Sequence, residues 1–307
     1  MRLSHADLKG LAVFRAVAEH RGFAGAQMSL NMSQSAVSFH IKAIEERLGF
    51  RVCQRGRTGF ELTDRGAIVY ERAKVLLASV EDFYSEMAEL RSRVIGKLRL
   101  GVVDNTVTNP ALPLHAVIRE FLRKNAGARI DITVGSPEQL MLDIVGGELQ
   151  LGILPLTMQM EGLQVREFET ELHTVYCGRS HPLFEAGVDE LSVDAITAHP
   201  FVVRPYANMR ELNSFPGARV GAHASNMEAQ VMLILSGQFI GCLPRHYADI
   251  WVARGELRAL LPEHAVIESP FCLVTRAGRR PSLLVRTFIQ ELIAQRIESE
   301  HADRASC

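Results

Sequence analysis

The sequence lacks a long hydrophobic run. None of its stretches approaches the roughly eighteen uninterrupted apolar residues of a membrane span. The N-terminal MRLSHADLKG also lacks the apolar core of a secretion signal. With 47% hydrophobic and 22% charged residues, the composition is ordinary for a globular protein. We therefore predict a cytoplasmic protein that does not contact a membrane.

Paired cysteines and catalytic motifs are also absent. The five cysteines form no C-x-x-C pair and the eleven histidines have no ligand spacing, so neither a disulfide framework nor a zinc site is indicated. The chain contains no G-x-S-x-G, H-E-x-x-H, G-x-x-x-x-G-K-[ST] or G-x-G-x-x-G motif. We predict no metal, no cofactor and no enzymatic activity; a catalytic site assembled from distant residues is the alternative.

The net charge of −1 conceals an uneven distribution. Residues 1–62 contain nine Lys and Arg against five Asp and Glu, whereas residues 63–307 contain 25 against 30. A basic front end on an acidic chain favours binding to a polyanion through that module, because neutralised phosphates supply much of the sequence-independent affinity.

The most informative stretch is SQSAVSFHIKAIEERLG, residues 33–49. Its apolar residues are spaced by four, three and four, which predicts an α-helix with one buried stripe. Ser33 suits the N-cap and Gly49 the C-cap. The opposite face carries polar groups, one cation and one aromatic ring: Gln34, Ser35, Ser38, Phe39 and Lys42.

Shorter helices are predicted before this one, within residues 7–20 and 21–31. A short helix, a tight turn and a longer helix that exposes Gln and Ser are typical of a helix-turn-helix, whose second helix enters the DNA major groove. The DNA contacts predicted on this helix are Ser33, Gln34, Ser35, Ser38, Phe39 and Lys42. An ordinary helical hairpin inside a core is the alternative. Two short strands around RGRTG predict a wing with Arg55 and Arg57 at its tip. These arginines either contact phosphate or the minor groove, or are simply solvated.

A long helix is predicted from Thr63, its cap, to Val94. Its apolar residues alternate at spacings of four and three, the heptad pattern of a helix with a partner. At about 45 Å the helix is longer than one small domain needs, which favours pairing with a second subunit; packing under the C-terminal domain is the alternative. The predicted dimer contacts are Leu76, Val80, Phe83, Met87 and Leu90.

Beyond a predicted hinge at Gly96 and Lys97, short apolar strands alternate with helices. This order predicts two α/β lobes joined by crossing strands. The predicted strands cover residues 97–103, 128–134, 149–155, 174–178, 200–205, 218–222, 239–244 and 271–276, and the helices cover 110–124, 137–145 and 282–298.

Three predicted helix starts carry residues suited to an anion. Thr106 and Thr108 precede one helix, Ser136 precedes a second, and Ser225 opens an S-x-x-E capping box. If these starts face a common cleft, they predict binding of a small organic anion without a metal. For each residue alone, a structural cap is the alternative.

Residues 8–62 resemble the winged helix-turn-helix of LysR-type transcriptional regulators. The resemblance lies in SQSAVS, in the following I-x-x-[IL]-E-x-x-L-G, and in the LT-x-x-G of residues 62–66. It extends through a linker helix and a periplasmic-binding-protein-like effector domain over nearly the whole chain. Two positions depart from most relatives: Phe39 replaces a basic or polar residue, and Gln150 replaces Asp.

This resemblance implies an α/β protein with a DNA-binding domain, a dimerising linker helix and a two-lobed effector domain. Residues Arg204 and Tyr206, after a strand of the second lobe, match positions where the family contacts effectors. The implied partners are a double-stranded DNA operator, a small-molecule effector and further copies of the chain, as a homodimer or homotetramer; RNA polymerase is also allowed. The corresponding domains are 1–62, 63–95, 96–298 (lobe I 97–163 and 268–298, lobe II 164–267) and a 299–307 tail.

Two other functions stay open for the C-terminal part. A pure solute-binding protein would fit its α/β pattern, but the DNA-binding front end argues against it. Redox sensing through Cys177, Cys242 or Cys272 is a second alternative, although their apolar, strand-like surroundings are more typical of buried inert thiols.

Overall fold

A computed structural model describes the chain over residues 4–56, 59–91, 93–205, 210–263, 266–278 and 280–306. The chain divides into two units, residues 1–84 and 85–307. Among the described residues, no helix is both long and apolar enough to cross a membrane.

The first unit is a three-helix core followed by a β-hairpin and a long helix. Its elements are α1 (His5–Glu19), α2 (Phe23–Leu30), α3 (Gln34–Leu48), β1 (Cys53–Gly56), β2 (Gly59–Leu62) and α4 (Asp64–Glu89), whose last residues belong to the second unit. The turn between α2 and α3 depends on Asn31, which adopts the left-handed conformation at φ 49° that asparagine tolerates better than most residues. These elements form the predicted winged helix-turn-helix.

One apolar cluster holds the helices and hairpin together. Phe14 and Val17 of α1, Val37 of α3 and Val52 before β1 are fully buried in it. Glu45 on α3 adds a polar tie, because its Oε1 accepts the backbone N–H of Val52 at 2.9 Å. This bond fixes the start of the hairpin on the helix that carries the exposed polar face.

Helix α4 is shorter than predicted. Its first turn is capped as expected, since the Thr63 hydroxyl accepts the Gly66 N–H at 2.9 Å. The helix ends at Glu89 rather than at Val94, so its 26 residues span about 39 Å at 1.5 Å per residue. The chain leaves the helix here because Val94 packs on the apolar core of the second unit.

The second unit alternates strands and helices. Its helices are α5 (Leu114–Lys124), α6 (Pro137–Gly146), α7 (Val193–Thr197), α8 (Met227–Leu235), α9 (Arg245–Val252) and α10 (Leu283–Ser306). Its strands are β3 (Gly96–Val102), β4 (Ala128–Val134), β5 (Leu151–Pro155), β6 (Leu163–Gly178), β7 (Phe201–Val203), β8 (Val220–His223), β9 (Ile240–Pro244), β10 (Leu257–Leu260) and β11 (Ile267–Arg276).

These strands form one sheet that packs against apolar cores in both lobes. Its order is β4-β3-β5-β11-β6-β9-β7-β8, with β10 paired to β6. The long antiparallel pair β6 and β11 crosses between a core around Phe121 and Phe288 and others that contain Phe201 and Leu243. The predicted arrangement of two α/β lobes joined by crossing strands is therefore confirmed.

Several predicted boundaries were wrong. The helix expected from Pro110 begins at Leu114, and α10 continues through the predicted tail to Ser306. Strand β6 begins at Leu163, eleven residues before its predicted start, because pairing with β11 rather than an apolar pattern holds its polar first half. The predicted hinge at Gly96 opens strand β3 instead.

The departure from relatives at Gln150 has a local structural consequence. Its side-chain Oε1 accepts the backbone N–H of Arg99 at 3.0 Å, and its own N–H donates to the Arg99 carbonyl at 2.9 Å. The longer amide side chain thus pairs with the backbone of β3 just before β5 begins.

Candidate functional site

Helix α3 separates a buried face from a polar one. Val37, Ile41 and Ile44 are at most 4% exposed. The predicted DNA-contacting residues on its opposite face are all exposed: Gln34, Ser35, Ser38, Phe39 and Lys42. The predicted cap Ser33 accepts the Ala36 N–H at 3.2 Å, and its hydroxyl lies 3.0 Å from that of Ser35.

The aromatic residue on this face does not belong to the core. Phe39 is 69% exposed and contacts the ring of His40 edge-on, with centroids 5.7 Å apart. Lys42 lies 3.7 Å from Glu46 in an exposed pair, which contributes little to stability. A flat apolar group and a cation thus stand beside the hydroxyl and amide groups. The side chain of Arg55 and all of Arg57 lie outside the described residues.

The predicted dimer seam on α4 divides into two parts. Leu76 is partly buried and packs with Leu11, Ile44 and Ala73 inside the first unit. Val80 is half-buried. Three later seam residues have exposed side chains: Phe83 is 54% exposed, Met87 41% and Leu90 78%.

A cleft opens in the second unit beside the crossing strands β6 and β11. Its cavity has a volume of about 70 Å³ and opens to solvent at its mouth, so it suits a small ligand or one group of a larger ligand. Its lining combines charged, polar and apolar side chains: Pro155, Leu156, Thr157, His173, Arg204, Glu211, Ile267, Glu268, Ser269 and Pro270.

The predicted effector residue Arg204 lines this cleft but is already paired with a carboxylate. Its Nε donates to Glu211 Oε1 at 3.0 Å, and Nη2 donates to the same oxygen. Both residues are buried, at 7% and 3% exposure. Glu211 Oε2 is buried with no hydrogen-bond donor in the part of the chain that the structure describes.

A buried carboxylate lies directly behind another wall of the cleft. Glu171 accepts hydrogen bonds from His173 at 2.7 Å and His246 at 2.8 Å, and Asn109 also donates to it at 3.2 Å. Burial opposes the ionisation of Glu171, but the hydrogen bonds and charges of the two histidines outweigh it and lower its pKa to about 2. The other nitrogen of His246 lies 2.8 Å from the Thr108 hydroxyl.

The helix starts predicted to hold an anion are not assembled in this cleft. Thr106 and Thr108 form a separate 3-10 turn instead of capping α5, and the buried Thr106 hydroxyl donates to the Val103 carbonyl at 2.6 Å. Ser136 does cap α6, accepting the Gln139 N–H at 3.3 Å. None of these three residues lines the cleft.

The third predicted helix start was misplaced by one residue. The N-cap of α8 is Asn226, not Ser225, because Asn226 Oδ1 accepts the Ala229 N–H at 2.8 Å. Moreover, the Asp104 carboxylate already accepts the Met227 N–H, so this helix start binds an acid from the chain itself. The remaining predicted contact, Tyr206, lies outside the described residues.

The cysteines proposed as redox sensors are buried and protonated. Burial raises the pKa of Cys177 to about 11, and burial together with the Glu211 charge raises that of Cys242 further above its usual value. Burial likewise raises the pKa of Cys272. Because the thiolate is the reactive form, these environments argue against redox sensing. Among the described residues, no group of three or more His, Cys, Asp or Glu could hold a metal ion.

Glu171, His173 and Glu211 were not predicted from the sequence as members of a site. Glu171 and His173 did carry a signal, because residues two apart on a strand share a face and both could titrate. Glu211 carried none, since it lies in a three-residue 3-10 turn, Arg210–Leu212, and not in a helix or strand with a periodic pattern.

Two known family models match this chain, one within the first unit and one within the second. The model of the LysR substrate binding domain matches residues 91–296, and that of the bacterial regulatory helix-turn-helix protein, lysR family, matches residues 8–67. The HTH-type transcriptional activator BauR of Pseudomonas aeruginosa is 37% identical over 94% of this chain and 95% of its own length. The SDS degradation transcriptional activation protein of a Pseudomonas species is 27% identical over 89% and 91%.

Solved structures show the same fold. CbnR in complex with its target DNA has a TM-score of 0.65 at 18% identity, covering 94% of this chain and 99% of CbnR. A full-length OxyR from Pseudomonas aeruginosa has a TM-score of 0.62 at 17% identity, with 95% of each chain covered.

Proposed function

Since this chain belongs to the LysR family of transcriptional regulators, we propose that a small organic acid bound beside Arg204 controls its binding to operator DNA. LysR-type regulators bind DNA operators and small-molecule effectors and form oligomers. The proposal rests on one observation: the first unit has an exposed polar helix face, and the second unit has a cleft lined by charged side chains.

On the DNA side, α3 supplies the reading groups. Gln34 and Ser35 can hydrogen-bond base edges in the major groove, and Phe39 can contact a thymine methyl. Lys42 and the wing arginines Arg55 and Arg57 add phosphate contacts, which set position rather than sequence. The exposed seam residues Phe83, Met87 and Leu90 bring two copies together, which suits a dyad-symmetric operator.

On the effector side, the cleft supplies a buried cation and an apolar wall. Arg204 provides the positive charge that an acid group requires. Thr108, though outside the cleft lining, reaches it indirectly through His246, Glu171 and His173. Ser136, Thr106 and Ser225 take structural roles in this proposal. We propose no catalytic activity, and we place the protein in the cytoplasm, where operator DNA is found.

The DNA half of the proposal is tested with operators selected by the protein itself. The full chain is used to select duplexes from a random-sequence library, and binding is then measured by fluorescence anisotropy. Gln34→Ala should weaken binding to the selected site by about 1–3 kcal/mol, the value of a good base contact. Lys42→Ala should reduce the salt dependence of binding, whereas Arg123→Ala, an exposed cation of the second unit, should not. Equal behaviour of Gln34→Ala and wild type would remove α3 from base readout.

The effector half is tested by thermal shift. A ligand that binds only the folded protein raises its melting temperature, so organic acids are screened against the full chain. Each acid that raises the melting temperature is then added to the operator-binding assay. An acid that stabilises the protein but leaves DNA binding unchanged would contradict control by this cleft.

A further inference from the structure

The cleft beside Arg204 contains charged groups of both signs. Its lining includes one arginine but two carboxylates, Glu211 and the exposed Glu268. His173 also lines the cleft, and its Nε2 lies 2.7 Å from the buried carboxylate of Glu171. A ligand that carried only negative charge would therefore lie near two carboxylates as well as near the arginine.

Glu211 presents an unmet requirement for a hydrogen-bond donor. Glu211 is 3% exposed, and its Oε1 accepts two hydrogen bonds from Arg204. Oε2 is buried without a donor from the described part of the chain, although a carboxylate oxygen can only accept. Leaving a charged acceptor unbonded in a low-dielectric site is costly, so a donor from a water molecule or from a ligand stabilises it. A protonated amine meets both the hydrogen bond and the charge.

The geometry also limits the distance between the ligand's two charges. Arg204 and Glu211 are in direct contact, with 3.0 Å between Nε and Oε1. A ligand whose carboxylate faces the guanidinium and whose ammonium faces Glu211 must therefore hold these groups close together. Pro155, Leu156 and Ile267 provide an apolar surface for a short hydrocarbon segment.

Resting on the function proposed above, we propose that the effector is an amino acid whose ammonium pairs with Glu211 while its carboxylate pairs with Arg204. The four charges then alternate, and each buried group of the cleft has a partner of opposite sign. Amino acids with one or two carbons between the charged groups fit this arrangement better than those with longer spacers.

The test compares matched ligands on the full-length wild-type protein. Straight-chain amino acids with one to five carbons between amine and carboxylate are used, each beside the carboxylic acid and the primary amine of the same chain. Affinities are measured by isothermal titration and operator binding by anisotropy. A short amino acid should bind about tenfold to a hundredfold more tightly than its acid, as one charge-assisted bond implies.

A variant assigns this difference to Glu211. Glu211→Gln keeps the side-chain size but removes the charge, so it should weaken amino-acid binding by about tenfold or more while the deaminated acid binds at least as well as before. Glu185→Gln, an exposed carboxylate away from the cleft, should leave both affinities unchanged. If Glu211→Gln fails to fold, the comparison of ligands on the wild type still decides the proposal.

The outcomes separate this inference from the proposed function. If acids without an amine bind as tightly and alter operator binding, the amino-acid proposal is overturned while effector control stands. If a short amino acid binds through Glu211 but operator binding does not change, the ligand class stands and control by the cleft fails. If nothing in the panel binds, the amino-acid proposal is overturned, and the thermal-shift screen of organic acids decides effector control separately.

Discussion

The two regions of this regulator hold their functional side chains in opposite ways. On α3, the five proposed DNA contacts lie within residues 34–42, and each of these five side chains is exposed. In the proposed effector cleft, Arg204 and Glu211 are buried against each other, and His173 is bonded to a buried carboxylate. The side chains on α3 are exposed and add little to the stability of the fold, whereas those in the cleft are buried and bonded to one another or to their neighbours. A change on α3 should therefore affect binding alone, but a change in the cleft should affect stability as well.

The strongest test of this contrast is removal of the buried cation. Arg204→Ala leaves Glu211 charged, buried and unpaired, which should lower the stability of the effector domain by about 3–5 kcal/mol. Trp251 is the chain's one tryptophan and lies in this domain, so its fluorescence during urea unfolding reports the change. The double variant Arg204→Met, Glu211→Leu removes both charges and should recover most of the loss. A single variant as stable as wild type would contradict the contrast.

The dependence of the free energy of unfolding on pH in the acidic range offers a second test. The folded-state pKa of Glu171 is about 2, below its ordinary value of 4.5, so the carboxylate stabilises the folded state above pH 4.5. This contribution should decline as the pH falls from about 4.5 towards 2. Glu171→Gln should be less stable than wild type at pH 6, and the difference should narrow on acidification. The same Trp251 fluorescence measures it; a constant difference between pH 6 and pH 3 would contradict the assignment.

The exposed half of the α4 seam should behave like α3, with no role in folding of the protomer. Phe83→Glu with Met87→Glu places unpaired charges in the proposed subunit contact, so we expect the dimer to dissociate with melting of the protomer little changed. Sedimentation velocity measures the dissociation. Val188→Glu is the matched control, since Val188 is 80% exposed and lies outside the seam. An intact dimer in the double variant would place the subunit interface elsewhere.

The smallest effect is expected at Phe39. Phe39→Ala should leave the unfolding transition unchanged, because the side chain is 69% exposed. It should reduce discrimination at a thymine of the selected operator by about 1–3 kcal/mol at most. Binding to operators with and without that thymine, measured by anisotropy, separates a base contact from a general one. A loss that is equal for both would assign Phe39 to non-specific contact.

The sequence predicted the structure of the helix-turn-helix well and that of the cleft around Arg204 poorly. The helix bounds, caps and exposed face of α3 agree with the expectation, because each rests on residues within a few positions of one another. Arg204 does line a cleft, but its partner Glu211 was not foreseen. The three helix starts were expected to converge, and two of them are not starts at the predicted residues.

What the amino-acid sequence determined by itself is therefore the local order: which segments are helical, which faces are apolar, and that a DNA-binding module precedes an α/β domain. Periodicity and capping act over three or four residues, so they can be read directly from the chain. Only the tertiary structure decided which charges meet. Glu171 bonds to a histidine 75 positions away, and that histidine bonds to a threonine 138 positions away. Such pairs arise when the crossing strands bring distant segments together, and burial then makes their charges depend on one another.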